Sequence, residues 1–112
     1  MKHDESIIQA AIVSALSLAG VYVFMVGNDN AGKITQARAG RLKAMGLRAG
    51  ISDLVIISSD GRVHFLEVKT ATGRLSESQE RFSDLCLKKA WPYAVVRSVD
   101  EAIDVCRKWR IL

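Results

Sequence analysis

Cysteine is scarce in this chain, and no pair of cysteines has metal-binding spacing. Cys86 and Cys106 stand far apart, with no CxxC and no paired histidine spacing. That excludes a zinc ribbon or finger and the disulfide-dense scaffold of small secreted domains. Two free thiols fit a reducing cytosol. Charge is missing between Glu5 and Asp29, and much of that stretch is apolar. It is still a poor membrane segment. Gln9, Ser14 and Ser17 interrupt it, Gly20 divides it, and Asp4 and Glu5 precede it where a signal peptide wants basic residues. Acids are missing between Asp29 and Asp53. Internal repeats, low-complexity tracts and interdomain linkers are absent as well.

The remaining composition is that of an ordinary globular protein. The 112 residues are 49% apolar and 25% charged, with a net charge of +4. That length predicts one domain over residues 1–112, without room for a separate specificity domain. The basic balance is compatible with a polyanionic partner.

Asp4 to Ala19 reads as a helix, with Ile7/Ile8, Ala11/Ile12, Ala15/Leu16 and Leu18/Ala19 recurring near a 3.6 period and Gly20 as its stop. Val21–Val26 reads as a strand. Gly27 to Gly50 is polar and glycine-spaced, too long for a structureless connection, and expected to be functional, mobile or partly helical around Gln36–Met45. Strands follow at Asp53–Ser58 and Val63–Lys69. A helix spans Ser76–Trp91 with a Ser76-x-x-Gln79 capping box and Pro92 ending it. A strand at Tyr93–Arg97 and a helix at Val99–Trp109 complete an α-β-β-β-α-β-α order. A hairpin followed by strand-helix-strand predicts one mixed sheet with helices on its faces.

The chemistry concentrates at the end of the third strand. Glu67 and Lys69 are two residues apart, so they share a face. Opposite charges in an apolar strand are poor core material unless they are paired. Asp53 begins the preceding strand, and its relation to Glu67 depends on the turn. A two-residue Asp60-Gly61 loop sets Asp53 against Val68, on the wrong face. A three-residue Ser59-Asp60-Gly61 loop with Gly61 left-handed sets Asp53 opposite Glu67. Both loops are common. Two carboxylates there suit Mg²⁺ or Mn²⁺, with positions left for water and a phosphate oxygen. A strand-end Glu-Lys pair with an Asp closing a turn accounts for the same residues, and these residues alone leave both readings open.

The flanking segments add to this. Gly50-Ile51-Ser52-Asp53-Leu54, Asp60-Gly61-Arg62-Val63, Phe65-Leu66-Glu67-Val68-Lys69-Thr70, Gly73-Arg74-Leu75-Ser76-Glu77-Ser78-Gln79 and Val95-Val96-Arg97-Ser98-Val99-Asp100-Glu101-Ala102 together resemble the VRR-NUC (virus-type replication-repair nuclease) family. That family belongs to the PD-(D/E)xK nuclease superfamily. The resemblance runs from Glu5 over essentially the whole chain. It implies a restriction-endonuclease-like αβββαβ core, a mixed central sheet flanked by helices, with a C-terminal helix. It implies metal-binding acids at Asp53 and Glu67, a further ligand in the Val68 carbonyl, a catalytic lysine at Lys69, and site residues at Gln79 and Glu5. Ser52 departs from the family's usual proline, which would loosen the approach to Asp53 without removing a ligand. Small standalone members come from phages and bacteria and resemble Holliday-junction resolvases. The resemblance therefore implies a cytoplasmic endonuclease that cuts branched or junction DNA as a homodimer.

Several residues have simpler roles to set beside these. Gln79 serves the capping box, and Glu5 suits a first helical turn. His64 faces away from Glu67, and His3 lies near a terminus. Lys33, Arg38, Arg41, Lys43 and Arg48 form the acid-free basic stretch, and Arg74 sits before the second helix. These six are candidate DNA-backbone contacts, with a solvated loop as the alternative. No aromatics interleave with them, so base stacking is not indicated. The competing functions are a non-catalytic nucleic-acid-binding module with the same fold and a metal-independent α/β protein. Trp109, Ile111 and Leu112 suit either an interface or the core.

Overall fold

The computed structural model describes residues 2–26 and 35–112. Lys33 and the side chain of His3, both considered above, lie outside what it describes. The described elements run α1 (Lys2–Leu18), β1 (Tyr22–Met25), α2 (Gln36–Ala44), β2 (Leu54–Ile57), β3 (Val63–Val68), α3 (Glu77–Lys89), β4 (Tyr93–Val96) and α4 (Val99–Lys108). The strands form one sheet in the order β1-β2-β3-β4. The first two pairings are antiparallel and the β3–β4 pairing is parallel. This is the mixed, helix-flanked sheet expected from the element order. α2 falls where Gln36–Met45 is expected to be helical.

Strand alternation sorts the sheet into two faces. Leu54, Ile56, Leu66, Val68 and Val96 point to one side and are fully or almost fully buried. Ile12 and Leu16 of α1 and Ala102 and Cys106 of α4 close over them. Each large aliphatic side chain removed from water there contributes about 1.5–3 kcal/mol. His64 lies on this same side, its ring tilted against Trp109 with ring centroids 4.9 Å apart. Burial lowers its pKa, which keeps the imidazole neutral in the core. Both cysteines are buried and free. Trp109 and Ile111 pack against the main core, whereas Leu112 is exposed. The periodicity of α1 overstates its buried stripe: Ile12 and Leu16 are covered, but Ile7 and Leu18 are exposed. No helix among the described residues is long and apolar enough to cross a membrane.

The other face is covered by α3 over β3 and β4. Phe82 of α3 meets Phe65 and Tyr93 edge-on, at 5.2 and 5.9 Å between centroids. α3 stops earlier than its proline suggests. Ala90 takes the left-handed conformation at the C-cap, and its N–H closes on the Cys86 and Leu87 carbonyls. Pro92 therefore follows a stop already made.

Candidate active site

The turn between β2 and β3 decides whether a site exists. Ser58 N–H donates to the Arg62 carbonyl at 2.9 Å, and Gly61 N–H to the Ser58 carbonyl at 2.8 Å. Gly61 has φ +82°, which a residue with a Cβ adopts only at a cost. This is the three-residue loop. The ladder then pairs Ile57 with Val63 and Leu54 with Leu66. One step further along the same register sets Asp53 opposite Glu67, on the face shared with Phe65 and α3.

The Asp53 and Glu67 side chains are close enough for Asp53 to raise the Glu67 pKa. Asp53 is fixed from the strand itself: the Val68 N–H donates to its Oδ2 at 2.8 Å. Glu67 is 1% exposed. Its Oε2 accepts from Gln79 Nε2 at 3.1 Å, while its Oε1 is buried with no donor. Burial pushes the Glu67 pKa up to about 9, helped by contact with Asp53 and its charge, and only partly opposed by Lys69. Without further positive charge beside it, an acid in that condition keeps its proton at neutral pH. A hard cation bound between Asp53 and Glu67 supplies that charge and gives Oε1 a partner. The donor set therefore fits Mg²⁺ or Mn²⁺. Among the described residues no three His, Cys, Asp or Glu side chains are grouped to hold a metal. Any such ion would depend on two acids completed by backbone carbonyl and water.

Gln79 serves both of its candidate roles at once. Its Oε1 accepts the Ser76 N–H at 2.8 Å, and the Ser76 hydroxyl accepts the Gln79 N–H at 3.2 Å. That leaves Nε2 free to donate to Glu67. The capping box thus orients the amide that holds the acid. Gly50 brings this helix end close. It has φ +82°, and a Cβ there would stand 2.2 Å from the Ser78 carbonyl oxygen. Only glycine lets the chain leading to Asp53 lie against the first turn of α3. Ser52 is held locally: its buried hydroxyl donates to the Leu54 carbonyl at 3.1 Å.

Lys69 has only 10% of its side chain exposed, and its Nζ is 3.9 Å from Glu5 Oε2. The first helix therefore reaches the end of β3, and Glu5 joins the cluster. Tyr93 is a neighbour that sequence reasoning missed. Its hydroxyl is buried near Ser83 without a hydrogen bond of ordinary geometry, and burial together with the Glu67 charge raises its pKa to about 12, only partly opposed by Ser83. Arg38, Arg41 and Lys43 lie on α2, whose described residues include no buried one. Arg48 and Arg74 are exposed in loops. Arg74 stands close in sequence to the Lys69 end of β3, whereas the α2 cations form a separate group.

The described residues form a mixed four-stranded α/β sheet flanked by four helices, with two acids and a lysine at adjoining strand ends. The VRR-NUC domain model matches residues 4–100, and the chain belongs to that family of nuclease domains. A solved structure described as a VRR_NUC domain shares 20% identity, with a TM-score of 0.69 and coverage of 95% of this chain and 97% of that one. A second, a VRR_NUC domain protein, shares 18% identity at a TM-score of 0.73, covering 95% and 87%. At these identities the two structures speak to the fold. No curated protein matches.

Proposed function

We propose that the protein is a metal-dependent deoxyribonuclease that hydrolyses phosphodiester bonds in branched DNA. The observation that carries this reading is the buried Glu67 beside the half-buried Asp53, with Glu67 Oε1 lacking any donor. Asp53, Glu67 and the Val68 carbonyl would hold Mg²⁺ or Mn²⁺. A bound ion supplies Lewis acidity and makes water more acidic at neutral pH. Lys69 orients the attacking water and offsets charge building on the phosphate oxygens. Glu5 restrains the Lys69 ammonium, and Gln79 holds the Glu67 carboxyl by its Oε2. Lys33, Arg38, Arg41, Lys43, Arg48 and Arg74 would grip the DNA backbone without reading sequence.

Cutting both strands of a junction needs two sites, hence a homodimer. Tyr22, Phe24, Ile57 and Val63 leave an exposed apolar strip where α3 does not reach, beside the edge strand β1. That strip suits a second copy of the chain. Light scattering in solution reads the assembly: a dimer supports the paired-cut scheme and a monomer opposes it. The buried free thiols suit a reducing, cytoplasmic setting in a phage or bacterial replication or repair context.

The test is cleavage of flap, fork, four-way-junction and linear DNA with Mg²⁺, Mn²⁺ or EDTA. Metal-dependent cutting that favours branched substrates is expected. Tight binding with no cutting of any substrate would instead make the protein a non-catalytic binding module.

A further inference from the structure

The segment Val96-Arg97-Ser98 is tied to the site through Arg97, whose side chain has no part in the proposed chemistry. The Arg97 guanidinium reaches back to the loop that follows Lys69. Its Nη1 donates to the Thr70 carbonyl at 2.6 Å and to the Gly73 carbonyl at 2.8 Å. The Thr70 carbonyl also accepts the Gly73 N–H at 3.2 Å, so these residues form a tight turn pinned at both ends. Turn carbonyls have no strand partner, and a charged donor satisfies them strongly.

The pinned turn lies against the lysine. A Cβ on Gly73 would come 3.5 Å from Lys69 Cδ and 3.0 Å from Thr70 Oγ1. The Gly73 backbone therefore runs alongside the Lys69 stem, a side chain's breadth away, and limits where that stem can swing. Arg97 is itself held: its N–H donates to Glu101 Oε1 at 2.8 Å, while Ser98 caps α4 by accepting the Glu101 N–H at 3.1 Å. Lys69 N–H in turn bonds the Val96 carbonyl at 3.0 Å. The chain of contacts runs from the start of α4, through Arg97 and the 70–73 turn, to the Lys69 side chain.

We infer that Arg97 is a positioning residue for Lys69, acting through the turn at Thr70–Gly73. This rests on the reading of Lys69 as the lysine that orients water. Arg97 touches no reacting atom in this scheme. It holds the turn backbone that keeps the flexible lysine stem directed toward Glu67 and Asp53, where a small misplacement is costly.

Two substitutions approach the turn from opposite sides. Arg97→Met releases the turn, and Gly73→Ala crowds the Thr70 hydroxyl and sets a new methyl group in contact with the Lys69 stem. Each is made alone and with Lys69→Ala, and Arg107→Met, on the exposed face of α4, is the control. In single-turnover cleavage, Arg97→Met lowers kcat between about tenfold and a hundredfold while KM moves little. In the Lys69→Ala background the same change costs nothing further, as for residues acting through one group. The Lys69 side-chain methylene resonances, followed by NMR on the full chain without DNA, shift in Arg97→Met and in Gly73→Ala but not in Arg107→Met. Losses that multiply in the double variant, or lysine resonances that stay put in both single variants, overturn the proposal. If the wild type cuts no DNA, the nuclease reading fails, and the resonances still decide the Arg97 contact. If Arg97→Met does not fold, Gly73→Ala carries both readouts.

Discussion

Glu67 sits out of water beside Asp53, so the stability of the metal-free protein depends on pH through Glu67. Its folded pKa of about 9 lies above the ordinary 4.5. The folded state thus holds the proton more tightly than the unfolded chain. The associated stability is fully present below about pH 4.5, erodes as pH rises, and is gone by about pH 9. Glu67→Gln removes that slope. In thermal denaturation with EDTA, the variant melts above the wild type at pH 8 and shows a flatter pH profile. Identical profiles would mean that Glu67 is not burdened by its neighbour. Mn²⁺ raises the melting temperature of the wild type and not of the variant. Alternation along β3 places Glu67 and Lys69 together from sequence alone. The burial that distinguishes a strained acid from a solvated one is set by α3 and does not follow from spacing. Tyr93 is hidden for the same reason, because an aromatic in a buried strand reads as core.

At the scale of elements, the site depends on how closely α3 approaches the chain before β2. Gly50→Ala drives a methyl group into the Ser78 carbonyl and strains a left-handed backbone. The expected loss is about 2–5 kcal/mol, read as a lower denaturation midpoint, and the Gln79–Glu67 contact opens with it. A midpoint unchanged within error would contradict the close approach. Ser76→Ala removes the cap for about 1 kcal/mol and leaves Gln79 less restrained. Gly61 favours the loop that gives the productive register, yet two loops fit the sequence, and only the Ser58–Arg62 pairing decides between them. The capping box was legible, since Ser and Gln three apart are enough to draw it. Its second use was not, because a helix start says nothing of what faces the free amide nitrogen. Likewise Ser98 and Glu101 announce the start of α4. The reach of Arg97 to Thr70 and Gly73 joins residues distant in sequence and carries no local pattern.

For the whole molecule, the acids of the proposed site and the cations of α2 occupy separate regions. Glu67 is buried and Asp53 half-buried at the strand ends, and the cations of α2 stand in the open. α2 illustrates how far a sequence pattern extends. Its basic residues and glycine spacing marked a surface segment, while the helix itself, capped by Thr35 accepting the Arg38 N–H at 3.1 Å, was one of several options. Replacing Arg38, Arg41 and Lys43 with Gln weakens DNA binding evenly across sequences. It reduces the slope of log K against log salt by about 2–3, near 0.9 for each duplex phosphate that the protein no longer neutralises. A slope that stays the same would remove α2 from the interface. Cleavage chemistry at saturating DNA is expected to change far less than binding.

The central claim is that Asp53, Glu67 and Lys69 carry out a metal-dependent hydrolysis. The most direct measurement is single-turnover cleavage of a branched substrate in Mn²⁺ by the wild type, Glu67→Gln and Lys69→Ala, with DNA affinity measured on the same samples. Wild-type cutting that EDTA abolishes, a Glu67→Gln variant at background, and a Lys69→Ala variant slower by about a hundredfold to a thousandfold, all with affinity retained, is the predicted result. Either variant cutting at the wild-type rate would contradict the assignment.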